Sequence, residues 1–319
     1  HLEGSIRMDT LLELNATLKV VDFDLKRFAN HFRVINHTPE KFNSFLKKFQ
    51  VLRKFYQSPE IIQRITRETI EDARNDQVKY LELRFNVAAL SEAKRFQYGE
   101  VVDWVCQSAA NASFEFNLPT RLILSVNRRE SVNMAKKTIL EAANHLGNGV
   151  VGVDLAGNEV DFPAKPFIPV FREAKEYGLG VTIHAGEWGR SENIREAIED
   201  FDADRIGHGI RVVDNPDLMA LAKERNIPFE VCVSSNLLTG AVTREEDHPI
   251  KEMLANGLAV TLNTDDPSIF DLSFSDEYQM LVDQYHISEQ SIQNLVQNGI
   301  NFAFAENNLK ERLKSEIHF

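Results

Sequence analysis

From Val78 onward the chain alternates short apolar runs with amphipathic stretches, and this period limits its fold more than any other feature. The strand candidates are residues 78–85, 120–126, 150–155, 181–184, 205–207, 229–233 and 259–263. Helical stretches lie between them, among them 167–177, 194–201, 217–225 and 250–256. Gly178, Gly180 and Gly257 stand where such helices stop before the next strand. Short strands alternating with helices indicate parallel βαβ units. The expected class is α/β, a (β/α)8 TIM barrel. An open doubly wound sheet has the same period, but no phosphate-type glycine loop marks its switch point. The count is seven strands, and a closed barrel has eight. His1-Leu-Glu-Gly-Ser-Ile6 reads like a loop after a strand, with a helix from about Met8, so the first strand is expected before His1.

Four polar motifs stand where the apolar runs end: Asp154-Leu-Ala-Gly157, His184-Ala-Gly-Glu187, His208 within Arg205-Ile-Gly-His-Gly209, and Asp265-Asp266-Pro267. Carboxylates and imidazoles are costly to bury without partners. Four such groups at four strand ends point to one shared polar site, and a parallel barrel gathers its strand ends on one rim.

Composition narrows the partners. The net charge of −12 argues against a nucleic acid held through its phosphates. Cys106 and Cys232 stand far apart with no CxxC, which reads as two buried thiols in a reducing, cytoplasmic compartment. No apolar run approaches a membrane span of about 20 residues. The expected partner is a small molecule, and the oligomeric state is left open. The expected organisation is one hydrolase barrel over 1–319 with a helical insertion at about 24–77. That insertion carries Phe28, Phe32, Phe42, Phe45, Phe49 and Phe55 at mostly helical spacing. These rings serve either as contacts between helices or as a flap over the barrel mouth that excludes water.

Each motif has a structural reading beside a chemical one. His184 is followed three residues later by Glu187 in a glycine-containing turn, a spacing unlike the helical HExxH of zincins. Asp265 and Asp266 repel each other unless a proton or cation lies between them, yet Asp before Pro is also a good helix start. His208 between two glycines can meet a ligand closely or pack below the rim. Ser234-Ser235-Asn236 either orients His208 or makes a simple turn. Asp154 offers a carboxylate behind the site and Gly157 an amide for a ligand.

Together these motifs resemble the adenosine deaminase family of the amidohydrolase superfamily. The family's marks are HxH with L-[DE]-G-[SA], DLAG-[DN]-E, HAGE, GHG, an SSN-type run and NTDDP. The chain has His1-Leu-Glu-Gly-Ser5, Asp154-Leu-Ala-Gly-Asn-Glu159, His184-Ala-Gly-Glu187, Gly207-His-Gly209, Ser234-Ser-Asn236 and Asn263-Thr-Asp-Asp-Pro267 in that order. The resemblance implies one Zn²⁺ per subunit, with His1, His184 and Asp265 as ligands and the first histidine of HxH expected upstream of His1. It implies that Glu187 protonates the purine ring nitrogen. His208 and Asp266 would orient and deprotonate the metal's water, Asp266 also meeting the substrate. Gly157 would contact the purine, and Glu3 the ribose 5′-hydroxyl. Nitrogen and oxygen ligands with an open position describe catalytic zinc, and the H-x-E/P-C-x-x-C signature of the other zinc deaminases is absent.

The implied activity is hydrolysis of a cyclic-amidine C–N bond: adenosine and 2′-deoxyadenosine to inosine and 2′-deoxyinosine plus ammonia, in purine salvage. Adenine and aminodeoxyfutalosine deaminases are similar relatives. The runs Leu237-Leu-Thr-Gly-Ala-Val242 and Asp276-Glu-Tyr-Gln279 look more like adenosine deaminases. A noncatalytic nucleoside-binding barrel is the reading from another class.

Overall fold

Seven parallel strands form one sheet whose spatial order follows the chain. They are β1 (Leu81–Asn86), β2 (Thr120–Asn127), β3 (Val150–Ala156), β4 (Gly180–Ala185), β5 (Arg205–His208), β6 (Phe229–Val231) and β7 (Val260–Leu262). The structure, a computed structural model, describes residues 1–22, 28–34 and 42–317, without the side chains of residues 42 and 43.

Successive side chains along each strand point to opposite faces, and the two faces differ in chemistry. Leu83, Phe85, Leu122, Leu124, Val126, Val153, Leu155, Val181, Ile183, Ile206, Phe229, Val231, Val260 and Leu262 are buried in the core that joins the sheet to its helices. That arrangement removes apolar surface from water and supplies the main driving force for the fold. The intervening positions are mostly small, polar or charged, with Ile123 of β2 an apolar exception. Arg84 of β1 reaches Asp154 of β3 and Glu230 of β6. Arg205 of β5 reaches Glu82 of β1 at 2.7 Å. Contacts between strands so distant in the sheet require it to curl around a common interior, as a TIM-type barrel does.

Among the described residues β1 and β7 are the two edges of the sheet. The short 3₁₀ turn Leu2–Gly4 lies between their carboxyl ends. The His1 backbone nitrogen donates to the Asp265 carbonyl at 2.6 Å, just past β7. Glu3 accepts from the Asn86 backbone N–H at 3.2 Å, at the end of β1.

The expected boundaries hold with physical exceptions. The first strand begins at Leu81, not Val78, because the Val78 N–H is used by the Ala73 carbonyl at the end of helix Pro59–Asn75. The sixth ends at Val231, and Val233–Leu238 is a short helix, so Ser234-Ser235-Asn236 is helical rather than a turn. Gly178 and Gly257 follow their helices with φ of 84° and 70°, as helix stops do. Gly180 instead opens β4.

Of the phenylalanine-rich segment, residues 24–27 and 35–41 and the side chain of Phe42 lie outside the described residues. Phe32 packs against Phe28 in a tilted pair and against Phe55 edge to face, with centroids 4.9 and 5.7 Å apart, as contacts between helices. Phe45 and Phe49, on helix Phe42–Leu52, line a cavity at the carboxyl rim, and Phe45 also stacks on Phe270 of helix Pro267–Phe270 with centroids 5.5 Å apart. Both cysteines are free and buried. No helix among the described residues is long and apolar enough to cross a membrane.

The amino end of the barrel is closed by Phe304. The Arg205 guanidinium lies 3.6 Å from its ring centroid. A methyl group on Gly152 would sit 2.7 Å from the Gly180 carbonyl oxygen and 3.0 Å from the Phe304 ring. The carbonyl belongs to the neighbouring strand and cannot swing away. Gly152→Ala is therefore expected to cost about 1–3 kcal/mol, the usual range for overpacking. Chemical denaturation of the two proteins checks this, and equal midpoints would refute it.

Candidate active site

The strand ends surround a cavity of about 730 Å³. His1, Glu3, Gly157, His184, Glu187, His208, Asp265 and Asp266 all line it. Every residue singled out from the sequence as a ligand, catalyst or substrate contact is thus brought to one place.

Two strands and the loop after a third supply the metal-type donors. His184 lies on β4, His208 ends β5, and Asp265 follows β7. One donor atom from each lies within 4.8 Å of the others. His1 joins from the edge: its Nε2 is 3.6 Å from Asp265 Oδ1, and its ring centroid is 5.6 Å from that of His184. Two imidazoles and a carboxylate are nitrogen and oxygen donors of the kind a divalent metal takes at a catalytic site, so the donor set fits the expected ion.

Asp154 sits behind His184 rather than at the strand end. It lies within β3, fully buried, and accepts from His184 Nδ1 at 2.8 Å and from Ser125 Oγ at 3.0 Å. Burial alone would raise its carboxyl, but the charges of His184 and Arg84 outweigh it and hold it down to about 2. With Nδ1 so engaged, His184 has Nε2 for the cavity. A carboxylate behind a metal-type histidine fixes its tautomer and ring orientation. Gly207 makes room for this ring, since a Cβ there would meet it at 2.9 Å.

A relay of hydrogen bonds sets the protons on His208. The Ile250 N–H donates to His248 Nδ1, so the other nitrogen, Nε2, carries the proton that meets Asn236 Oδ1 at 3.2 Å. The Asn236 amide then donates to His208 Nδ1 at 3.1 Å and to Glu187 Oε1 at 3.0 Å. His208 is therefore protonated on Nε2, which faces Glu187 Oε2 at 3.5 Å. Burial depresses its basicity to about 4 against the pull of Asp265, so the ring is neutral near pH 7. Burial, with the charges of Asp265 and Glu159, pushes the Glu187 carboxyl well up, which favours its protonated form.

Asp265 and Asp266 divide in character although adjacent. Asp265 adopts φ of 59° and accepts from Ser235 Oγ at 2.8 Å. Asp266 is buried, with Oδ1 lacking a partner among the described residues. Burial and the neighbouring Asp265 charge push its carboxyl well up, making it the stronger proton acceptor of the two. Asp266 also precedes the Pro267–Phe270 turn of helix, but no side-chain cap is formed there. Gly4 is required beneath it, because a Cβ at that position would overlap the Asp266 carboxyl.

Sequence reasoning gave no role to three groups that shape the site. Glu159 accepts the backbone N–H groups of Gly186, Glu187, Trp188 and Gly189 at 2.8–2.9 Å, and also the Asn193 amide. It therefore sets the loop that carries Glu187. Arg84 lies beneath Asp154, and nothing marks it in the sequence except a charge inside an apolar strand. Glu277 is fully buried and accepts from the Ser234 N–H at 3.3 and 3.4 Å, at the start of the helix that carries Asn236.

Glu277 gives the site a pH-dependent support. Burial raises its carboxyl from an ordinary value of 4.5 up to about 7. Between these values the folded protein holds a proton that the unfolded chain has released. Stability is therefore lost as pH rises through that window, at up to about 1.4 kcal/mol per pH unit. Glu277→Gln keeps an oxygen for Ser234 and removes this slope. The variant's melting temperature should gain on wild type from pH 5 to pH 7.5; parallel curves would refute the assignment.

Comparison with known proteins agrees with this geometry. A sequence model of the adenosine deaminase family matches residues 1–319. An adenosine deaminase of Clostridium botulinum is 36% identical, over 99% of this chain and 95% of its own. Three solved structures superpose over 99% of the chain. They are an adenine deaminase from Arthrobacter aurescens (TM-score 0.89, 27% identity, 95% of that chain), an amidohydrolase from Burkholderia ambifaria with bound Zn (0.90, 25%, 86%) and an arabidopsis N6-mAMP deaminase (0.88, 31%, 95%). With its whole length matched and its polar motifs converging on one cavity, the chain belongs to the adenosine deaminase family.

Proposed function

We propose that the chain is a zinc-dependent deaminase that hydrolyses adenosine and 2′-deoxyadenosine to inosine and 2′-deoxyinosine plus ammonia, serving purine salvage. The observation that carries this reading is the meeting of Glu187, His208 and Asp266 with the His1, His184 and Asp265 donors in one cavity. Zinc held by those donors supplies a Lewis acid that brings the pKa of water toward neutrality. In this reading residues 1–319 work as one hydrolase barrel, with the helical stretch at about 24–77 as a flap that places Phe45 and Phe49 over the mouth.

The protein's own groups perform the proton traffic. His208, neutral and protonated on Nε2, donates to the attacking water and orients it over the ring carbon bearing the amine. Asp266 takes the proton that the water loses. As the C–O bond forms, electrons move onto the adjacent ring nitrogen, and Glu187 delivers its proton there. The carbon then bears both hydroxyl and amine. Asp266 returns its proton to the amine, the C–N bond breaks and ammonia leaves. The hydroxyl proton restores Glu187, and the sum is substrate plus water giving product plus ammonia. Asn236 keeps Glu187 and His208 in step because one amide holds both.

The ligand's other end supports a nucleoside over a free base. The cavity of about 730 Å³ exceeds what a purine alone requires. Gly157, with φ of 98°, lines it where its amide can meet the base. Glu3, buried and lining the same cavity, is the acceptor this reading gives to the 5′-hydroxyl. A spectrophotometric screen of adenosine, 2′-deoxyadenosine, adenine, AMP and aminodeoxyfutalosine tests the reading. The nucleosides should be preferred. Preference for another substrate, or nucleoside binding without ammonia release, would overturn it.

Two variants probe the division of labour. Glu187→Gln should retain zinc and lose about 10²–10⁴-fold in kcat, the usual contribution of general acid catalysis. A variant with near wild-type kcat would remove Glu187 from the acid role. Asp154→Asn should weaken zinc binding by about 10–100-fold, as the loss of a carboxylate behind a metal-type histidine does. Chelator competition reads this directly, and unchanged affinity would show that the Asp154 charge does not serve the metal.

A further inference from the structure

We propose that Glu130 is a second reader of the substrate's sugar, accepting a ribose hydroxyl beside Glu3. The inference rests on the nucleoside reading above and adds a specificity residue from a different part of the chain.

Glu130 lies in the turn just after β2 (Thr120–Asn127), and its side chain lines the cavity. One of its oxygens is fully occupied: Oε1 accepts from the Asn86 side-chain amide at 2.7 Å and from the Asn127 backbone N–H at 3.1 Å. The other, Oε2, is buried and has no hydrogen-bond partner among the described residues. Glu3 shows the same division. Its Oε1 accepts from the Asn86 backbone N–H, and its Oε2 is buried without a described partner. Glu3 is only 3% exposed, so neither oxygen is satisfied by open solvent.

Asn86 is the element that makes these two carboxyls a pair. Its backbone N–H holds Glu3, and its amide holds Glu130 and the Ser125 carbonyl. Its Oδ1 is committed to the Ala89 N–H, capping helix Val87–Glu92. Every polar group of Asn86 that faces the carboxyls is therefore used, and the residue has one orientation. It fixes two carboxyls from distant segments with one oxygen of each engaged and one spare.

A buried acceptor left without a donor costs on the order of 1–3 kcal/mol. Two in one cavity call for a ligand that brings at least two donors. A ribose offers hydroxyls; a free purine base has none, and a phosphate brings anionic oxygens where Glu3 and Glu130 already place acceptors. Arg53, which also lines the cavity, tempers the charge of both carboxyls. The chemistry selected by the two spare oxygens is thus a hydroxylated sugar.

The test uses Glu130→Gln and Glu130→Ala in the zinc-loaded protein. Substrates are adenosine, its 2′-, 3′- and 5′-deoxy forms, and adenine, with melting curves as the check on folding. Glutamine can keep its carbonyl on Asn86 and Asn127 while replacing the spare acceptor by an N–H₂ donor. A residue that only supports the loop is rescued by glutamine; a residue that accepts a hydroxyl is not. Both variants should lose about 10–100-fold in kcat/KM for adenosine, mainly through KM, the range for a hydrogen bond to a charged group. One deoxy analogue, lacking the hydroxyl concerned, should lose almost nothing. Full rescue by glutamine, or an equal loss for adenosine and every deoxy analogue, would overturn the inference alone. Wild-type protein that deaminates no nucleoside would overturn it together with the nucleoside reading, and that outcome is visible before any variant is made.

Discussion

The rim of the barrel depends on Asp154 keeping its negative charge in the interior. A lone buried carboxylate would cost several kcal/mol and would take up a proton instead. Here it meets His184 above and Arg84 below. Arg84 also pairs with Glu230, Glu230 with Arg205, and Arg205 with Glu82. Charges of opposite sign thus alternate from the site toward the amino end of the barrel. At the far end, Glu82 accepts from the Tyr80 hydroxyl and the Phe304 backbone N–H. Removing any inner member strands its neighbours in a water-poor interior, so the column acts as a unit. Its product at the site is a His184 ring with one nitrogen fixed and the other turned to the cavity.

The same rim stores backbone strain where chemistry is needed. His208 and Asp265 both sit at φ above 50°, a region that side chains with a Cβ adopt at a cost. Each is held by contacts that survive only in this arrangement. Asn236 donates to the His208 ring, while Ser235 and the His1 nitrogen donate to Asp265. Ser235 and Asn236 belong to one short helix after β6, so a single element secures two strained residues from β5 and the loop after β7. Glu159 does the equivalent for Glu187 by taking four consecutive N–H groups on one carboxylate. The loops that carry Glu187 and Asp265 are thus held by side-chain hydrogen bonds where the strand ladder has ended.

This division explains what could be read from the sequence. The strands were legible because their outward residues are apolar in runs, and the helices because their inward faces recur at helical spacing. The reactive groups were legible because each lies in a short polar motif at a strand end. The supports were harder to see. Arg84, Arg205 and Glu230 are single charges on separate strands, and only closure of the barrel makes them one network. Asn86 ends β1 and Glu130 lies in the turn after β2, and neither belongs to a motif. A charge recurring inside an otherwise apolar strand is the signal that could have found the first group. Asn236 was noted, but its role needed the position of His248, twelve residues on. Val233–Leu238 read as strand and turn because its apolar start continues β6, while the buried Glu277 that receives the Ser234 N–H lies far along the chain.

Reaction and recognition therefore rest on different parts of the molecule. In the proposed function the proton-handling groups Glu187, His208 and Asp266 stand on or beside strands whose interior charges are paired, where a change disturbs several partners at once. The cavity is also lined by Phe45, Phe49 and Arg53 from the helical stretch before β1 and by Phe96, Tyr98 and Glu130 from βα segments. Barrel enzymes vary such loops while the strand ends keep their chemistry. The motifs at the strand ends consequently mark the family, whereas the residues lining the rest of the cavity come from segments that barrel enzymes are free to vary.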